Sequence, residues 1–220
     1  MIRKVALFVL ICAFVASATY ARSRRRQQGP SGQPGVFDYY VFSLSWSPEH
    51  CAERADYSAQ CSGNRPYGFV AHGLWPQYER GYPHDCDGPE LRAGEIPKDL
   101  LEIVPSVPLI EHEWPKHGTC SGLSKQQYFQ KIEQAWALIK IPADYKSPIK
   151  TVEVAPGDVK RKFAQNNPGF GDSSLAVVCS GGRYLAEVRA CLTKDLKPRP
   201  CGTDVHDTCR ADRIIMRPVR

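Results

Sequence analysis

A chain of 220 residues, 42% hydrophobic and 24% charged, has the length for one sizeable domain with a core of its own. After the first residues no apolar run is long enough to cross a bilayer, which excludes a membrane-spanning helical protein. The formal net charge of +6 is a modest basic excess that favours a polyanionic partner without establishing one.

In chain order, Arg3 and Lys4 precede an apolar run from Val5 to Val15, followed by Ala16, Ser17 and Ala18. This is the pattern of a secretory signal peptide over residues 1–21, too short for a lasting membrane helix. Cleavage after Ala18 and after Ala21 both fit. Ile11, before Cys12, is not the small residue of a lipoprotein-type anchor. Loss of Arg3 and Lys4 leaves a charge of about +4. Residues 22–36 are rich in Arg, Gln, Gly, Pro and Ser with little to bury, and read as a disordered leader before a domain over 37–220. The arginines at the two ends (Arg22, Arg24, Arg25 and Arg26; Arg210, Arg213, Arg217 and Arg220) suit solvated tails as well as a nucleic-acid grip.

Export makes the cysteines interpretable. Of nine, Cys12 belongs to the signal peptide, which leaves eight, and an even number in an oxidising compartment reads as four disulfides. No two of the eight are separated by only two residues, so they lack metal-type spacing. Spacing alone does not choose among the possible connectivities.

The stretch from Phe37 to Trp46 combines β-branched and aromatic residues with alternation and predicts a strand, ended at Ser47-Pro48. Cys51 to Cys61 is then a polar stretch of a length that a local disulfide would close. The apolar Phe69-Val70-Ala71 leads into His72-Gly73-Leu74-Trp75-Pro76-Gln77. A histidine at the end of a buried strand is presented to a cleft or bonded to backbone in the core, and the motif alone favours neither. Residues 78–94 form a loop, in which Tyr78 and Tyr82 are surface aromatics or a platform for stacking a base. A short helix is expected over 98–104. Ser106 suits an N-cap, with Pro108 in the first turn of a helix that Pro115 should kink or end and Gly118 should terminate.

That helix carries Glu111-His112-Glu113-Trp114-Pro115-Lys116-His117. At helical spacing Glu113 lies beside His117 and His112 beside Lys116, so a carboxylate, an ammonium and a titratable imidazole converge. Such a group suits stabilisation of an anionic, phosphate-like transition state. In most proteins charges at this spacing are a solvated face. A zinc site is disfavoured because the histidines are five apart rather than four, and no metal ligand set is assigned.

Further on, Ser124 caps a helix whose Tyr128, Ile132, Ala135, Trp136 and Ile139 recur at helical spacing and read as core. Another helix runs from Pro156 through Phe163. Residues 174–179 and 184–192 flank Ser180-Gly181-Gly182-Arg183 as a β-hairpin, and 213–216 add a last strand. There is no internal repeat. The order of elements predicts an α+β fold, a mainly antiparallel sheet flanked by helices and stapled by disulfides.

The segments FDYYVFSLSWSPEHC (37–51), HGLWP (72–76) and HEWPKHGTC (112–120) together resemble the ribonuclease T-two (T2) family of secreted, often acid-active endoribonucleases, bacterial members especially. The helix that follows them, beginning SKQQYF (124–129), and the late hairpin extend the likeness from about Phe37 to about Cys209. The resemblance implies cleavage of single-stranded RNA through a 2′,3′-cyclic phosphate to 3′-phosphate ends with low base specificity. It implies a general base at His117, a general acid at His72, and transition-state support from Glu113 and Lys116. It places His112 on phosphate and Trp75 on a base, with Gln77, Tyr78 and Tyr82 as further substrate-binding candidates. Disulfides are implied between Cys51 and Cys61, Cys86 and Cys120, Cys179 and Cys209, and Cys191 and Cys201.

The ribose 2′-OH is the nucleophile, so no metal or cofactor is required, and DNA, which lacks it, should not be cut. The expected protein is a secreted or periplasmic monomer with no stable membrane association and an acidic to neutral optimum. Two positions depart from the family pattern. Gln77 stands where some fungal members carry an aspartate linked to adenine preference, and Pro115 fills a variable site next to Lys116. The alternatives are a catalytically silent secreted RNA-binding protein on the same scaffold and a metal-dependent phosphoesterase.

Overall fold

The computed structural model describes residues 32–220 except 55, 64 and 93. The expected signal peptide, its cleavage positions and the leader up to residue 31 lie outside the described residues. The last leader residues are bonded to the domain: the Gly32 N–H donates to the His84 carbonyl (2.9 Å) and the Gly35 N–H to the Cys120 carbonyl (3.0 Å).

Strand β1, Tyr39–Trp46, is the buried centre of the molecule, with all eight residues shielded from solvent. Its alternation splits two apolar clusters. Tyr40, Phe42, Leu44 and Trp46 face the main core under the helices. Tyr39 and Val41 face a smaller cluster with Trp75, Cys191, Cys201 and Val205. A strand covered on both faces loses the polar alternation of a solvent-facing sheet. That explains its near-continuous apolar character.

Around it lies a six-stranded α+β sheet. Strand β2 (Phe69–Gln77) pairs with β1 at one edge. Beyond β3 (Val152–Val154), the hairpin of β4 (Leu175–Ser180) and β5 (Tyr184–Leu192) joins the other side of β1, and β6 (Ile214–Met216) follows. Every pairing is antiparallel except β5 with β6. Gly181 and Gly182, at φ 55° and 77°, make the turn of the hairpin, as a tight hairpin requires. Strand β3 escapes sequence reading because three residues give no period.

The helices follow their caps. Ser47-Pro48 does not simply end β1. Proline at the first turn starts helix α1, Ser47–Glu53, which the sequence reading did not assign. Helix α2 is Val107–Glu113, and the Ser106 hydroxyl accepts the Leu109 N–H at 3.4 Å. Helix α3, Lys125–Leu138, carries a capping box between Ser124 and Gln127. Helix α4 is Pro156–Asn166.

Pro115 has the expected disruptive effect. After Glu113 the chain widens into a π-helical turn, Trp114–Gly118, and then a 3₁₀ turn, Thr119–Ser121. Because proline removes a backbone donor and crowds the preceding turn, a wider turn relieves it. Gly118 is not the terminator. It sits against the rings of Trp114 and Tyr128 with no room for a Cβ, and the left-handed residue that ends the helical run is Gly122 at φ 70°.

Four disulfides join Cys51 to Cys61, Cys86 to Cys120, Cys179 to Cys209 and Cys191 to Cys201. Among the described residues no helix is long and apolar enough to cross a membrane.

Candidate active site

His72 owes its position to an irregularity in β2. The register places Ser43 opposite Gly73 and Leu44 opposite Ala71, which leaves His72 as an extra residue in a β-bulge. Bulges re-aim a side chain out of the ladder while the strand holds its backbone. Here the imidazole meets two carboxylates. Nδ1 lies 2.8 Å from Glu187 Oε1 on β5, and Nε2 lies 3.8 Å from Glu113 Oε1 at the end of α2.

The segment Trp114–Gly118 packs beside β2, the outer strand of the sheet, and brings His117 to the same region. Trp75 links the two histidines. Its ring centroid is 5.2 Å from His72 and 5.5 Å from His117, and its indole N–H donates to Glu113 Oε2. Gly73 makes this possible, since a Cβ there would collide with both the Glu113 carboxylate and the Trp75 nitrogen. The loop over 78–94 closes above. Its Tyr82 ring lies 5.8 Å from His117, the Asp85 N–H donates to the Lys116 carbonyl (3.0 Å), and Cys86 is bonded to Cys120.

The environment separates the two imidazoles electrostatically. Burial acts to lower the His72 pKa, but the hydrogen bond and charge of Glu187, with the charge of Glu113, outweigh it and hold His72 above the usual histidine value. Burial and the positive charge of Lys116, then of His112 and His72, push His117 down to about 3. Among the described residues its Nδ1 is buried without a hydrogen-bond partner. Burial also raises Glu113, against the opposing pull of His72 and the Trp75 hydrogen bond. Glu187 is also desolvated, yet the bond to His72, the His72 charge and Arg189 hold it down at about 2. The result is one imidazole favoured as the cation and one held neutral, the complementary pair that acid–base chemistry uses.

Two depressions flank this group. One, of about 280 Å³, is lined by Val41, Trp75, Gln77, Tyr82, His117, Arg189, Asp204 and Val205. The other, of about 560 Å³, includes Ser45, Glu49, His50, Tyr57, His72, His112 and Glu113. Of the sequence candidates, Trp75, Gln77, Tyr82 and His117 therefore share one depression, while His72, His112 and Glu113 reach the other. Lys116, half-buried, supplies charge next to His117. Gln77 spends its amide N–H on the Pro76 carbonyl (3.0 Å). Tyr78 is not brought to the site; it packs against the main core beside the Gly81 turn.

Glu187 and Arg189 were missed in the sequence. Their signal is an acid and a base two residues apart in an otherwise apolar strand, YLAEVRACL, where alternation puts both on the face shared with Trp75. Among the described residues the one grouping of potential metal ligands is His50, Asp56 and Cys61, and its sulfur is committed to Cys51.

The fold around this site is that of the T2-type ribonucleases. RNase NT, solved in complex with 5′-AMP, superposes with a TM-score of 0.67 at 24% identity, over 84% of this chain and 99% of that one. At the level of sequence, the Ribonuclease T2 family profile matches residues 37–201, and the chain belongs to that family. A "Ribonuclease" from Aeromonas hydrophila is 45% identical over 126 residues, 57% of this chain and 53% of its own length. "Ribonuclease 3" from Arabidopsis thaliana is 32% identical over 182 residues, 68% of this chain and 82% of its own. The chain thus spans about half the length of the bacterial relative it matches.

Proposed function

We propose that this protein is a secreted endoribonuclease that cleaves single-stranded RNA without a metal. In the reaction, His117 Nε2 takes the proton of the ribose 2′-OH as the 2′-oxygen attacks phosphorus. His72, protonated, gives its Nε2 proton to the departing 5′-oxygen as the P–O5′ bond breaks, leaving a 2′,3′-cyclic phosphate. In the second step the roles exchange: His72 takes a proton from water, which attacks phosphorus, and His117 protonates the 2′-oxygen to give a 3′-phosphate.

The Lys116 ammonium stabilises the negative charge that builds on the equatorial oxygens, Glu113 supports the transition state from its buried, hydrogen-bonded position, and His112 holds the phosphate. Trp75 and Tyr82 offer faces to a base. The low base specificity of the reading fits a depression in which the Gln77 amide donates to the carbonyl of the preceding Pro76. Four disulfides fit an oxidising destination outside the cytosol.

The observation that carries the reading is the single indole between two imidazoles of opposed protonation preference. The test is digestion of total RNA in EDTA. Cleavage with transient cyclic-phosphate ends is expected. Intact RNA would favour a silent RNA-binding protein, and cleavage only after metal is restored would favour a metallo-phosphoesterase.

A further inference from the structure

Three features of β5 and its neighbours converge on one side chain that the reaction above leaves unused. Glu187 stands opposite Ser45 in the central pairing, at the floor of the site. Its side chain is 12% exposed and both oxygens are engaged: Oε1 with His72 Nδ1 at 2.8 Å, and Oε2 with Arg189, from Nε at 2.8 Å and Nη2 at 2.7 Å. Arg189 in turn lies over the Trp75 ring, 5.2 Å from its centroid. A strand-borne carboxylate fixed by a forked guanidinium is a rigid acceptor, because the fork leaves the carboxylate one orientation.

We infer that Glu187, clamped by Arg189, is the positioning residue of His72: it binds the Nδ1–H and so directs the other nitrogen, Nε2, with its proton toward the scissile phosphate. The inference rests on the ribonuclease reading of His72. A neutral imidazole carries its proton on either nitrogen, and a hydrogen bond accepted from Nδ1 selects the tautomer and the ring rotamer. Without Glu187 the carboxylate left within 4 Å of the bulged His72 ring, among the described residues, is Glu113, 3.8 Å from Nε2. A ring turned to bond Glu113 through either nitrogen would aim its proton away from a substrate.

Charged groups face His72 from each element packed on it. Glu187 and Arg189 project from β5, Glu113 from α2, and His117 from the π-helical turn; Glu49 and His50 on α1 line the same depression. Of these, Glu187 alone makes a hydrogen bond to the ring among the described residues.

The test compares Glu187→Gln and Glu187→Ala with the parent and with His72→Ala, on a dinucleoside phosphate in EDTA, together with ¹⁵N NMR of the histidine side chains. Glu187→Gln keeps an acceptor at the same place and loses the charge. It should keep KM, hold most of kcat at low pH, and move the alkaline limb of the rate profile down by about 1 pH unit or more. Glu187→Ala should lose about 10- to 100-fold in kcat at all pH values, with the His72 ring showing mixed tautomers by NMR. An unchanged pH profile and an unchanged His72 titration in both variants would overturn the inference while leaving the ribonuclease reading intact. Parental activity in His72→Ala would overturn the reading of His72 itself. Circular dichroism separates a misfolded variant, and the near-isosteric Gln variant carries the decision if Ala unfolds the chain.

Discussion

Trp75 and Glu113 are joined by a hydrogen bond from the indole nitrogen to a carboxylate buried to 6% exposure, and this bond ties the edge strand of the sheet to the end of helix α2, next to the π-helical turn that carries His117. A buried carboxylate without a partner carries a large desolvation cost. The indole is therefore a structural support for Glu113 as well as an aromatic face between His72 and His117.

Trp75→Phe isolates that first role, because phenylalanine keeps an aromatic ring and removes the donor. Loss of the donor should destabilise the protein by about 1–3 kcal/mol and raise the Glu113 pKa further. Denaturant melts and the kcat of RNA cleavage are the measurements; a variant equal to the parent in both would show that the bond is incidental.

Stability should depend on pH in a direction set by His117 and Glu187. The folded pKa of His117 is about 3, below the ordinary value near 6.5, so the unfolded chain binds the proton first as pH falls. Its contribution is present above about pH 6.5 and lost as the pH drops toward 3. Glu187, at about 2 in the folded state, contributes above the ordinary glutamate value and loses that contribution below it. His72 acts in the opposite sense. Its raised folded pKa supplies stability that is present below the ordinary histidine value and lost as pH rises through the folded one. Thermal melts between pH 7 and pH 4 should show Tm falling for the parent and falling less for His117→Ala. A steeper fall in the variant would contradict the assigned burial of a neutral ring.

The Cys86–Cys120 disulfide closes the loop after β2 onto the 3₁₀ turn that follows the π-helical turn, 34 positions apart in sequence. Replacing both cysteines with serine should cost about 3–4 kcal/mol of stability. It should also lower activity, since the same loop carries Tyr82 and the Asp85 contact to the Lys116 carbonyl. Removing Cys179–Cys209, whose cysteines lie outside both depressions, should lower Tm and leave kcat near the parental value. Equal effects on kcat from the two deletions would remove the special role given to the first bridge.

The longer strands and helices were legible through local signals: alternation in 37–46, glycines at 181 and 182, and Ser124 as the cap of α3. The imidazole pair was legible through its two motifs. What the sequence could not show is three-dimensional pairing. The bulge that presents His72 arises from register against β1, and the tie between His72 and Glu187 joins residues 115 positions apart. Pro115 announced a break without announcing its form, a widened turn that continues to Gly118 instead of stopping there. Tyr78 looked equivalent to Tyr82 because composition cannot tell which of two loop tyrosines turns inward to the core.

The account rests on two imidazoles acting on one phosphodiester, and ³¹P NMR of a dinucleoside phosphate in EDTA tests that most directly. With the parent protein the phosphodiester signal should give way to a 2′,3′-cyclic phosphate and then to a 3′-phosphate. With folded His72→Ala and His117→Ala the first conversion should slow by about 100- to 10,000-fold. A 5′-phosphate product without a cyclic intermediate, or a parental rate from either histidine variant, would contradict it.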